Sequence, residues 1–140
     1  MKIFKTLILF FILSTELIAA DMKSLEYFAK SINEIQARFK YEEQFSKSKG
    51  TLTEAQFNKI LAHTEKALSY SNRVLDKDLD KLDPALFNKT LAKNYENLFR
   101  EGLRHSIFSM KNSDVASGLK GMRLINEWGK YYRKIRKKIL

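Results

Sequence analysis

Acidic residues alternate through Asp76-Lys77-Asp78-Leu79-Asp80, the spacing with which a calcium-binding loop opens. Such a loop also needs glycine at its sixth position for a sharp turn and glutamate at its twelfth to close the coordination shell. Lys81 and Phe87 stand there instead, so the acids read as a solvated helix end paired with Lys77 and Lys81. The two histidines, His63 and His105, fall on different predicted helices with no acid or second histidine close in sequence. Met22, Met110 and Met122 offer a second ligand for a haem iron, but covalent haem attachment needs cysteine and the chain has none. The same absence removes thiol catalysis, thiolate metal sites, disulfides and a lipid-modified N-terminus. Glu42-Glu43 reads as a solvated helix face, and no Ser-His-acid arrangement or glycine-rich turn stands out. No catalytic, cofactor-binding or metal-binding residue is therefore expected.

The chemistry that remains is electrostatic. Lys130, Arg133, Lys134, Arg136, Lys137 and Lys138 place six cations within nine residues near the C-terminus. Cations in the last turn of a helix are favourable against its dipole, and these exceed that need. With Tyr131, Tyr132, Ile135 and Ile139 interleaved, the segment resembles a helix that lies on an anionic interface or in an acidic groove. Lys130, Tyr131, Arg133, Lys134, Arg136, Lys137 and Lys138 are the candidate partner-binding residues. A binding surface and a merely solubilising one both remain open. The formal net charge is +10, and Ser113 to Leu140 holds eight Lys/Arg against two acids, Asp114 and Glu127.

The compartment decides which partner such charge would meet. Lys2 and Lys5, the apolar run Leu7 to Leu13 and the small residues Ala19-Ala20 have the order of a secretory signal peptide. The apolar run is shorter than the roughly 20 residues that span a bilayer, and Glu16 interrupts its far end. Cleavage after Ala20 is expected, with an uncleaved membrane anchor as the competing reading. Residues 21–140 then form a single helical domain, periplasmic or secreted. Behind a signal peptide, an acidic protein or an anionic envelope surface is the expected partner and nucleic acid is not. Self-association into a homodimer is also open.

Four long helices must position the basic segment. Proline occurs once, glycine is scarce and no period-two run of β-branched residues occurs. The first helix runs from about Met22 to Lys47, with Leu25, Phe28, Ile32, Ile35 and Phe39 on one stripe. Gly50 suits the turn beyond its end. Thr53 and Gln56 have capping-box spacing, flanked by Leu52 and Phe57 as a hydrophobic staple. Phe57, Ile60, Leu61, Thr64, Ala67, Leu68, Ser71, Val74 and Leu75 form the second core face. Asp83 and Pro84 start the third helix, whose core residues are Phe87, Leu91, Tyr95, Leu98, Phe99, Leu103, Ile107 and Met110. Asn112-Ser113-Asp114 breaks it. The last helix turns Gly121, Ile125, Trp128, Tyr132, Ile135 and Ile139 inward.

Gly118, Gly121 and Gly129 each cost up to about 1 kcal/mol in a helix. Close approach of a neighbouring backbone is one reason for them, and a flexible or ligand-contacting helix is the other. The expected fold is all-α, an antiparallel up-and-down bundle of about four helices after the signal peptide. Two helical hairpins crossing at a steeper angle are the alternative.

Leu52-Thr53-Glu54-Ala55-Gln56 resembles the LTxxQ motif of the Spy/CpxP periplasmic chaperones, over five residues and in one copy. That resemblance implies a basic, helical periplasmic holdase. The expected function is an exported, non-enzymatic helical bundle that binds an acidic protein or an anionic envelope component through its last helix. A holdase and an immunity or inhibitor protein against a secreted enzyme are the alternatives. Mass spectrometry of the exported protein should place its N-terminus at Asp21 or one residue away, and intact Met1 in the membrane fraction would establish the anchor instead.

Overall fold

The computed structural model describes residues 22–47, 50–82 and 90–139, with side chains up to residue 136. The described residues are predominantly helical and contain no strand. Helix α1 is Met22–Ser46, α2 is Glu54–Ser71, and α3 is the short Asp76–Leu82. Helix α4 starts as Thr90–Asn94, passes through a π-helical segment Tyr95–Arg100, and continues as Glu101–Asn112. Helix α5 is Val115–Ile139. The expected signal peptide, the turn through Ser48 and Lys49, and the Asp83-Pro84 start with Phe87 lie outside the described residues.

Phe28, Ile32 and Ile35 bury the α1 stripe, whereas Phe39 at its end is 40% exposed. Helix α2 starts as its sequence dictates. The Gln56 amide donates to Thr53 Oγ1 at 3.3 Å, and the Thr53 amide donates to Gln56 Oε1 at 2.8 Å, completing the capping box. Contacts between α1 and α2 run in opposite chain directions. Ser24 Oγ accepts from the Leu75 amide at 2.9 Å, Tyr27 stacks near Tyr70, and Glu34 meets His63 at 2.7 Å. Lys59 then lies over the ring of Tyr41.

The acidic stretch departs from expectation. Helix α2 ends at Ser71 with Asn72 as its cap, and Asp76–Leu82 forms a separate helix, α3. Asp78 is 1% exposed rather than solvated, with Lys81 Nζ 3.9 Å from its carboxylate, while Leu79 is wholly buried. Leu75, expected in the core, is exposed. The chain therefore has five helices among its described residues where four were expected.

Leu91, Tyr95, Phe99 and Leu103 recur every fourth residue, and all four are buried. An ideal α-helix at 3.6 residues per turn would rotate such a series steadily off its face. The wider turn from Tyr95 to Arg100 brings the series back, with the Glu101 amide reaching the Glu96 carbonyl five residues earlier. Trp128 of α5 sits over this row, its ring 5.4 Å from Tyr95 and 5.5 Å from Phe99, with Phe28 of α1 at 6.4 Å. The Tyr95 hydroxyl, sealed inside, shares a 2.7 Å hydrogen bond with Ser31. Burial pushes the Tyr95 pKa up despite that bond, so the ring stays neutral.

Helices α4 and α5 approach through small residues, again in opposite chain directions. A Cβ on Gly121 would come within 2.8 Å of the Gly102 carbonyl and the Ser106 amide, and one on Gly118 within 2.6 Å of Ser109 Oγ. Gly102 faces Ile125 in the same way. Gly129 differs, because a Cβ there would meet nothing within 4 Å. Ser113, at φ 55°, ends α4 in the left-handed conformation. The Asp114 carboxylate accepts from the Ala116 amide at 3.0 Å and the Ser117 hydroxyl at 2.9 Å, opening α5.

The two kinds of glycine predict opposite outcomes. Gly121→Ala forces the α4 and α5 backbones apart and should lower the thermal midpoint. Gly129→Ala gains helix propensity without a clash and should add up to about 1 kcal/mol. Thermal unfolding of both variants checks the pair, and a loss at both positions would place an unrecognised neighbour over Gly129.

Candidate functional site

Helix α5 carries two faces with different chemistry. Positions 118, 121, 125, 128, 132 and 135 alternate at three- and four-residue spacing and meet α1 and α4. Ile125, Trp128 and Ile135 are buried there, and Tyr132 stacks 5.4 Å from Trp128. Burial raises the Tyr132 pKa, opposed by the nearby positive charge of Arg136. The candidate cations stand outside this face. Lys130, Arg133, Lys134 and Arg136 are exposed, and no ion-pair partner meets any of them among the described residues. Lys120 and Arg123, about three and two turns before Lys130, are likewise exposed and without an ionic partner there. Tyr131 packs half-buried with its ring 5.8 Å from Trp128. The side chains of Lys137 and Lys138 lie outside the described residues.

This placement separates two readings of the same residues. Tyr132 and Ile135 were read both as part of the inward face and as interleaved with the cations, and the core holds them. A membrane-inserting helix needs a free apolar face beneath its cations. Here the Lys130 to Arg136 segment presents guanidinium and ammonium groups without one. What it can do is attract and pair with anions. No described helix is long and apolar enough to cross a membrane.

A second charged site was not legible in advance. Arg100, 7% exposed, extends from the π-helical segment to the end of α2. Its guanidinium donates to the Ser71 carbonyl at 2.7 Å and 3.1 Å and to the Val74 carbonyl at 2.6 Å. It also pairs with Glu96 at 2.8 Å and Asp76 at 3.2 Å, and lies over the ring of Tyr95. Arg104 bonds the second Glu96 oxygen at 2.7 Å and also contacts Glu101. Partial burial pushes the Glu96 carboxyl up, but the bonds from Arg100 and then Arg104 more than offset it and hold it below its ordinary value. The only advance sign was an arginine falling next to a buried phenylalanine in the four-spaced series.

The histidines take structural places. His63 bonds Glu34 across α1 and α2, and His105 stands in the electrostatic reach of Asp114. Among the described residues, no group of three His, Cys, Asp or Glu is placed to hold a metal ion. Leu52 to Gln56, which carried the chaperone resemblance, is the start of α2, where Thr53 and Gln56 form the capping box and Leu52 is exposed. Comparison with known proteins finds no match, whether with family models, curated proteins or solved structures.

Arg100 supplies a testable consequence. Arg100→Met strips the last carbonyls of α2 of charged donors and leaves Glu96 partly bare, so it should cost roughly 3 kcal/mol in urea unfolding. Glu96 has a lowered native pKa, so its ionisation favours the fold above the ordinary carboxylate value of 4.5. That contribution disappears as pH falls from there through the native value. Glu96→Gln should therefore flatten the acid side of the stability profile while leaving its alkaline side in place.

Proposed function

We propose that this chain is an exported, non-enzymatic antiparallel four-helix bundle, braced by the short α3, that binds an acidic protein or an anionic envelope component through α5. One observation carries the reading. The exposed cations of α5 form a dense run with no ionic partner among the described residues, whereas elsewhere unpaired cations such as Lys40, Lys66 and Lys77 are scattered among the pairs Lys30–Glu26, Lys47–Glu43, Arg104–Glu96 and Lys111–Glu65. Clustered charges of one sign add their fields and speed the approach of an oppositely charged surface, and beyond the last turn they bring the helix no dipole benefit. The opposite directions of the α1–α2 and α4–α5 contacts support the bundle, as does the α2–α4 pair Glu65–Lys111.

The test is neutralisation of Lys130, Arg133, Lys134 and Arg136 together to Gln. Each exposed end charge contributes only tenths of a kcal/mol to the helix, so the fold should persist. Binding to anionic phospholipid vesicles and to poly-glutamate should fall by about tenfold or more at low ionic strength. The difference should narrow as the Debye length shrinks toward roughly 8 Å at physiological salt. Equal binding by the two forms at low salt would reduce the basic segment to a solubilising surface.

A further inference from the structure

Helix α5 has a second seam. Val115, Leu119, Met122, Asn126, Gly129 and Arg133 alternate at four- and three-residue spacing, offset from the row that enters the core. Val115 is 73% exposed, Leu119 59% and Met122 53%, three of the most exposed large apolar side chains among the described residues. The seam then changes character. Asn126 is polar, Gly129 leaves an open notch, and Arg133 continues the line with Lys130 beside it. Lys120 and Arg123 flank the apolar half, both exposed.

From this pattern we infer that the outer face of α5 docks an acidic amphipathic helix of a partner protein. The partner's apolar residues would cover Val115, Leu119 and Met122, and its carboxylates would meet Lys130 and Arg133. This deepens the proposed electrostatic role and rests on it. Charge selects the occupant. A second copy paired in parallel would set Lys130 and Arg133 against their own equivalents. A full antiparallel pairing would set Val115 and Leu119 against those cations. A two-fold pairing centred on Leu119 covers the apolar half alone and leaves the cationic half bare. An acidic helix matches both halves at once. A lipid surface would bury Val115, Leu119 and Met122 as well as meet the cations, so loss of vesicle binding by the Leu119 and Met122 variant would assign the seam to lipid instead. Gly129 adds an independent mark, because its missing side chain relieves no contact within the fold and leaves room for close approach from outside.

The experiment uses the full chain and synthetic helical peptides with three leucines at heptad spacing in one half and glutamates in the other. Both orders of the halves are needed, together with a scrambled peptide of the same composition. Isothermal titration should show one order binding and the scrambled peptide binding at least about tenfold more weakly, the scale expected for one apolar side chain left uncovered. Leu119→Gln with Met122→Gln keeps the charge and alters only exposed positions. It should weaken the ordered peptide by tenfold or more and leave anionic vesicle binding unchanged. Ordered and scrambled peptides binding alike, or the Leu119 and Met122 variant binding like the parent, would overturn the seam while leaving the electrostatic role intact. Loss of vesicle and poly-glutamate binding on charge neutralisation tests that role separately. Sedimentation showing a dimer that the same two substitutions dissolve would assign the seam to a second copy instead.

Discussion

One buried guanidinium joins three helices. Arg100 reaches the Ser71 carbonyl that ends α2, the Val74 carbonyl just beyond it, the Asp76 carboxylate at the start of α3 and the Glu96 carboxylate in the π-helical segment of α4. The final carbonyls of any helix lack partners inside it, and burying them unpaired is costly. Here the Asn72, Arg73 and Val74 amides close onto Leu68, Tyr70 and Ser71, and Arg100 adds donors from another helix at Ser71 and Val74, so α2 can stop at Ser71 against the core without a glycine cap. The arginine itself could not be buried without these acceptors. The end of α2, the start of α3 and the widened turn of α4 therefore share one solution. Trp128 and the core face of α5 rest on the aromatic row that this turn aligns.

Local signals were legible where local chemistry sets the structure. The Thr53 and Gln56 box is complete within four residues, and the structure forms it as its letters require. The break at Asn112 to Asp114 is similar, since Ser113 turns left-handed and Asp114 caps α5. Long-range determinants were not legible. The apolar periodicity of α2 continues through Val74 and Leu75, so sequence alone extends the helix. What stops it is Arg100, twenty-odd residues onward, together with Ser24, which takes the Leu75 amide from α1. Asp78 was read as solvated because its neighbours are charged, yet the fold turns it inward beside the fully buried Leu79. The π-helical segment did leave a trace. A core series spaced strictly by four, Leu91 to Leu103, fits no ideal α-helix, and that mismatch is visible before any coordinates are.

The glycines show how one letter carries two meanings. Gly121 meets backbone atoms of Gly102 and Ser106, so its place follows from the distance between α4 and α5. Gly118 meets only the flexible hydroxyl of Ser109, a softer constraint. Gly129 has no such neighbour and lies on the line that connects Met122 to Arg133. Spacing alone groups all three as a close-packing set, and only the partner helix separates them. Gly102, the counterpart on α4, carried no signal of its own, because it is isolated in an otherwise ordinary stretch.

The basic helix can then be weighed by what the fold asks of it. Packing α5 needs Gly121, Ile125, Trp128, Tyr132 and Ile135, and a favourable helix end is satisfied by one or two cations in the last turn. Lys120, Arg123 and Lys130 lie too far from that end for the dipole to account for them, since its influence fades within a turn. Mutual repulsion among cations on one rod disfavours the folded state, and Glu127 is the single acid within α5 to offset it. An excess that packing does not need and the dipole does not explain is what the proposed partner would use. Between Lys130 and Arg136 the apolar residues Tyr132 and Ile135 belong to the core, so insertion of that segment into a bilayer is a poor account of it. The proposed recognition of carboxylates along the exposed length of α5 would account for both the charge and its position.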